Sequence, residues 1–132
     1  MAILARDPDK LEAARADIAD AGSGKVATLP SALLDAATTN AAFADAEEAL
    51  GKIDILVNNA GTSRAGPFED ITDDEWAEAL ELKLMAAIRL CRAALPGMKS
   101  RQWGRIINVL NIGAKAPRPV GAPTAVSRAA GL

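Results

Sequence analysis

The chain contains no tyrosine, no histidine, a single cysteine and only 3% aromatic residues. Each shortage removes a class of chemistry. Without histidine, the commonest metal ligand and the usual general base are both missing. The carboxylates are scattered over helix faces rather than grouped at ligand spacing, so no metal site is expected. Cys91 has no second thiol to pair with, which excludes an internal disulfide and predicts a reduced, cytoplasmic setting. No apolar run approaches the ~20 residues needed to cross a bilayer, so no membrane partner is expected. Met1 leads straight into strand-like Ala2-Ile3-Leu4-Ala5, which is not the start of a signal peptide. The net charge of −2 carries no basic excess, and nucleic acid is not an expected partner.

What is present suits one α/β domain. The 132 residues are enough for a real core, since a domain of this size buries roughly two-thirds of its unfolded surface. Half of the chain is hydrophobic, much of it alanine, which fits small-residue helices packed closely on a sheet. The apolar pattern predicts strands at 2–5, 25–29, 53–58 and 105–110. Asp7 or Asp9 caps a first helix with Pro8 in its first turn, and Gly22-Ser23-Gly24 ends it. A second helix covers 36–50 and stops at Gly51. Thr72-Asp73-Asp74-Glu75 is a capping-box pattern that opens a long helix. Trp76, Leu80, Leu84, Ala87, Cys91, Ala94 and Met98 share its apolar face, and Pro96 is expected to bend or end it. A loop over 111–123 leads to a last helix starting at Thr124. Strands alternating with helices imply a doubly wound parallel sheet with right-handed crossovers.

Ligands of such sheets bind beyond the carboxyl ends of the strands. Ile53-Asp54-Ile55-Leu56-Val57 reads as a buried strand, and Asn58-Asn59-Ala60-Gly61 stands at its carboxyl end. Small residues there let a flat, phosphate-bearing ligand approach the backbone, and the Asn side chains can tie neighbouring strands together.

Asn58-Asn59-Ala60-Gly61 resembles the short-chain dehydrogenase/reductase family. The resemblance continues through Gly66-Pro67-Phe68, Ile71, Trp76, Leu95-Pro96-Gly97-Met98 and Gly104-Arg105-Ile106-Ile107-Asn108-Val109. It implies a Rossmann-like dinucleotide-binding domain over residues 1–132. That domain is incomplete: the first strand, its glycine-rich turn and the C-terminal part have no counterpart, so the chain reads as an internal fragment. The missing first strand would lie between the strands at 2–5 and 53–58. Either these two pair directly or a gap stays open between them.

The resemblance also implies an activity: hydride transfer between a nicotinamide and the carbonyl or alcohol carbon of a small-molecule substrate, in a homo-oligomeric parent. NADP is the expected cofactor, with NAD possible. Ala5 stands where an acidic residue would hold the ribose of NAD, and Arg6, one step later, offers a guanidinium that matches a 2′-phosphate. Asn58, Ala60 and Gly61 would complete the cofactor edge. An Asp that often contacts the adenine is matched by Ala32, with Asp35 out of register. The family's catalytic Asn, Ser, Tyr and Lys align with Lys83, Asn111, Thr124 and Arg128, and none is retained. An aliphatic hydroxyl is a far weaker acid than a phenol of pKa ~10, so Thr124 cannot replace the tyrosine. Asn111 could donate a hydrogen bond to a carbonyl oxygen, and Arg128 could contact the cofactor ribose. Lys83 stands at the edge of an apolar face. It either snorkels along the helix to water or acts as a displaced proton donor whose pKa a nearby Arg128 lowers. The competing reading is a non-catalytic nucleotide-binding or structural member of the family.

Overall fold

The computed structural model describes every residue except Ser23 and Ala65. The helix stop predicted at Gly22-Ser23-Gly24 therefore lies partly outside the described residues. Strand β1 (Ala2–Ala5) runs into helix α1 (Pro8–Ala21), whose N-cap is Asp7: its carboxylate accepts from the Asp9 and Lys10 amides at 3.1 and 3.2 Å. These bonds draw the Asp7 carboxyl below its ordinary pKa. Strand β2 (Ala27–Pro30) begins two residues later than the apolar run suggests. Helix α2 (Ala36–Leu50) keeps its predicted bounds. It starts at Asp35, which accepts from the Thr38 amide at 2.8 Å, and stops at Gly51, whose φ of 82° suits glycine. Asp35 is thus spent on a helix cap rather than on a ligand.

Strand β3 (Ile55–Asn58) is followed by the Thr72 capping box, in which Thr72 and Glu75 bond each other reciprocally, and by helix α3 (Asp73–Leu80). A π-turn at Glu81–Met85 joins α3 to helix α4 (Ala86–Ser100). Pro96 does not end α4. Its missing N–H would have bonded the carbonyl of Arg92, and both residues lie on the exposed side, where solvent can take that oxygen. Strand β4 (Arg105–Asn108) and helix α5 (Thr124–Ala129) complete the order.

β1 pairs with β2, and β3 with β4, both in parallel. β1 and β3 are not hydrogen-bonded neighbours, so the sheet is in two halves. Of the two outcomes open from the sequence, the gap is the one found. The facing edges of β1 and β3 instead line one apolar cavity of about 1060 Å³, walled by α2 and α4 residues such as Phe43, Ala46, Ala86 and Leu90. Right-handed crossovers place α1 and α2 on opposite faces, because the first moves away from β3 and the second returns to it. The fold is an α/β doubly wound parallel sheet, present in part.

Two apolar clusters hold it together. Leu33, Ala42, Leu82 and Ala86 pack with Leu4 and Leu34; Phe43, Leu90, Ala94 and Met98 pack with Ile53, Leu56 and Ile106. The sequence reads β3 as buried throughout, and there the structure differs. Leu56 faces α4, while Ile55, Val57 and Ile107 are about half exposed on the other face. No described helix covers that side of β3 and β4. The second cluster is tight where β4 begins: a Cβ built on Gly104 would lie 2.7 Å from the Cβ of buried Met98. Gly104→Ala should therefore destabilise the fold by about 1–3 kcal/mol through overpacking. A urea unfolding midpoint equal to that of the native chain would show that Met98 can give way.

Candidate active site

The residues beyond the carboxyl end of β3 meet α5 and the π-turn in one corner. Asn58 ends β3 facing Asn108, the last residue of β4. Its Nδ2 donates to Asn108 Oδ1 at 2.9 Å and to Cys91 Sγ at 3.4 Å. The strand-tying role expected of an asparagine here is therefore the one Asn58 performs, while its Oδ1 is buried without a partner. Ala60 lines the cavity beside it. Gly61 serves by its lack of a side chain, since a Cβ there would lie 2.9 Å from Arg128 Nη2 and 3.3 Å from Lys83 Cγ. A side chain at this position would push the Arg128 guanidinium and the Lys83 stem away from where they now lie.

Lys83 is the centre of the π-turn and is only 7% exposed. In an ordinary helix it would stand at the edge of the apolar stripe. Here the Ala86 amide bonds the Glu81 carbonyl, five residues back, and the wider turn swings Leu82 and Lys83 inward. Arg89 clamps the turn from outside, with bonds of 2.6 and 3.1 Å to the two Glu81 oxygens that hold this carboxyl below its ordinary pKa. Lys83 does not snorkel to water. Its Nζ donates to Thr124 Oγ1 at 3.0 Å, 41 residues away in the chain. Burial lowers the Lys83 pKa, with the Arg128 and Arg64 charges adding to the effect and Glu78 opposing it.

Thr124 is fully engaged. Its hydroxyl donates to the Arg64 carbonyl at 2.6 Å and accepts from the Arg64 amide at 3.1 Å, besides accepting from Lys83. A hydroxyl has one proton and two lone pairs, and all three are in use. Thr124 thus ties the loop after β3 to α5 and holds Lys83. The Arg64 side chain is neutralised by Glu75 at 2.6 Å and Glu78 at 3.7 Å. Arg128 donates from Nη1 to the Val109 carbonyl at 2.8 Å, while its Nε is buried without a partner. Arg64 is the member of this corner that the sequence reading missed. Its part is played by backbone atoms and by α3 carboxylates, which no local pattern reveals.

Of the residues singled out from the sequence, Lys83, Thr124, Arg128 and Gly61 are brought together. Asn111 is exposed and N-caps a short 3₁₀ turn at Ile112–Ala114, with no bond to the other three. Arg6 is exposed just beyond β1 and takes part in no ion pair among the described residues. Asp7, which could have paired with it, is committed to the α1 cap. A nicotinamide dinucleotide fits this layout in part: the carboxyl end of β3 and the Lys83 corner open on the cavity, whereas β1 lines it only as far as Leu4 and Arg6 is not among its lining residues. No glycine-rich turn leading into a helix N-terminus stands between β1 and β3 among the described residues. The described residues contain no group of three or more potential metal ligands and no helix long and apolar enough to cross a membrane.

The family model for short chain dehydrogenases matches residues 1–131. A D-beta-hydroxybutyrate dehydrogenase of Cupriavidus necator is 40% identical over 99 residues, covering 74% of this chain and 38% of that enzyme. Among solved structures, the L-sorbose reductase of Gluconobacter frateurii, complexed with NADPH and L-sorbose, superposes with a TM-score of 0.91 at 31% identity. That match covers 98% of this chain and 49% of the reductase. A metagenomic short-chain oxidoreductase in complex with NADP gives a TM-score of 0.89 at 32% identity, covering 98% of this chain and 58% of that one. The chain thus spans about two-fifths of this curated relative and about half of these solved structures.

Proposed function

This chain belongs to the short-chain dehydrogenase family, and on that premise we propose that residues 1–132 are part of a dinucleotide-binding domain in an NADP-dependent oxidoreductase acting on a small carbonyl or alcohol. The observation that carries the reading is the buried Lys83 amine, 3.0 Å from Thr124 and beside Arg128 at the carboxyl end of the sheet. A bound nicotinamide would supply or accept the hydride at the carbonyl carbon. Lys83 gives the oxygen its proton in reduction and takes one in oxidation. Thr124 positions the amine, and burial, assisted by the Arg128 charge, lowers its pKa. With no hydroxyl proton free on Thr124, Lys83 is the side chain of this cluster able both to gain and to lose a proton. Arg6 is the natural contact for the 2′-phosphate of NADP; Asn58, Ala60 and Gly61 form the near wall. Asn111 stands outside the cluster and would need its loop to move before meeting a substrate. The relatives named as NADP complexes support the cofactor choice. A cytoplasmic, homo-oligomeric enzyme is the setting this reading carries with it.

The test is NADPH oxidation by the full-length protein that contains this segment, run with a panel of short ketones and with NADH in parallel. Substrate-dependent oxidation that favours NADPH is expected, and Arg6→Ala should raise the KM for NADPH by about tenfold or more while leaving that for NADH nearly unchanged. Tight nucleotide binding with no turnover of any ketone would favour the non-catalytic reading, for which the missing tyrosine is the specific argument.

A further inference from the structure

The Lys83 corner holds more positive charge than its surroundings neutralise. Among the described residues, Arg64 is paired with Glu75 and Glu78, while neither Lys83 nor Arg128 takes part in any ion pair. Both lie against Gly61 and both line the cavity wall. Two cations held side by side repel each other, and the buried one, Lys83, has little solvent to screen it. The rest of the wall includes apolar Leu82, Leu84 and Leu110 and the neutral amides of Asn58, Asn59 and Asn108, and the cavity lining contains no carboxylate among the described residues. Of the five N–H groups on Arg128, one meets the Val109 carbonyl and Nε meets nothing. A charged Lys83 has three donors, and Thr124 takes one.

We propose that Lys83 and Arg128 form a carboxylate seat, so that the carbonyl substrate is a short keto acid. The planar carboxylate lies between the guanidinium of Arg128 and one Lys83 donor, and the adjacent carbonyl oxygen takes the other Lys83 donor. This rests on the oxidoreductase reading above and narrows its substrate class. It also gives the charge arrangement a purpose. An arriving anion offsets the repulsion, favours the protonated amine and so loads the proton that reduction consumes. A neutral ketone would have to leave the two cations uncompensated.

Binding to the 132-residue chain itself tests the seat without any hydride transfer. The probes are pyruvate, its neutral methyl ester and inorganic phosphate, followed through the Gly61 amide shift at neutral pH. Pyruvate should shift this amide and bind at least about tenfold more tightly than the ester, a difference of about 1.4 kcal/mol. Lys83→Met and Arg128→Met should each abolish that preference, whereas Arg118→Met, on an exposed loop, should keep it. Arg128→Lys serves where Arg128→Met does not fold, and should weaken the preference because an ammonium cannot offer two parallel donors. Equal affinity for pyruvate and ester overturns the proposal. Phosphate binding more tightly than pyruvate overturns the carboxylate assignment in favour of a phosphate seat. The two readings fail separately. Pyruvate binding with no turnover of any carbonyl in the full-length protein sinks only the oxidoreductase reading; reduction of neutral ketones as fast as keto acids sinks only this one.

Discussion

Replacing Lys83 by Met in the full-length protein should lower turnover by roughly 10²–10⁴ while leaving the fold intact. Met fills the same volume at a position 7% exposed and facing the cavity between apolar neighbours, so packing survives. What disappears is the donor. Lys83→Asn would reintroduce the residue common in the family at this position, yet it supplies no titratable proton and should not restore turnover. In the native protein, reduction should weaken as pH rises through the lowered Lys83 pKa, because only the ammonium can protonate the oxygen; Lys83→Met should lack that limb. Unchanged turnover in Lys83→Met, with NADPH still oxidised by substrate, would move the proton source to solvent or to the substrate itself.

The same substitution should change how stability depends on pH. Burial, with Arg128 and Arg64 assisting and Glu78 opposing, puts the folded-state pKa of Lys83 below its unfolded value of 10.5. Between these two values the unfolded chain holds a proton that the folded chain has released. Native stability should therefore rise with pH across that window and carry its full penalty below it. Urea midpoints measured over a pH series should show that rise for the native chain and not for Lys83→Met, which should be the more stable of the two at neutral pH.

The isolated chain should bind NADPH no more tightly than about millimolar and should oxidise none of it. A dinucleotide pyrophosphate is normally held by the backbone donors of a glycine-rich turn at a helix N-terminus. Among the described residues no such turn stands at the cavity, where the halves of the sheet part. The cavity-facing edges of β1 and β3 also lack a strand partner. Each backbone group left unsatisfied there costs about 1–3 kcal/mol, against a total stability of about 5–15 kcal/mol for a typical domain. Ordering these edges around a nucleotide would use much of any binding energy. Calorimetry on the purified chain decides the matter: a micromolar dissociation constant would mean that other residues have rebuilt the phosphate site.

Most of the elements were legible because their signals are local. Asp7, Asp35 and the Thr72–Glu75 box cap helices through bonds spanning two or three residues, and Gly51 stops α2 at its own φ. The strand ends were less legible. Lys25 and Val26 look like a continuation of β2 but precede its paired register, which begins at the Ala2 and Ala27 partners. Ile55 and Val57 look buried because the run is apolar on both sides, while exposure depends on what else covers the sheet.

The sequence by itself determined the family, the α/β alternation and the absence of any tyrosine or histidine from these 132 residues. Caps, apolar periods and motif spacing all act over a few residues, and the chain order preserves them. Only the tertiary structure decided that the half-sheets part around a cavity, that Thr124 is fully hydrogen-bonded, and that Lys83 points inward. A π-turn is a shift of one hydrogen bond from the fourth to the fifth residue. That shift persists here because the inward position lets Leu82 join the core and Lys83 reach Thr124, 41 residues away. No window of local sequence contains both partners of that bond.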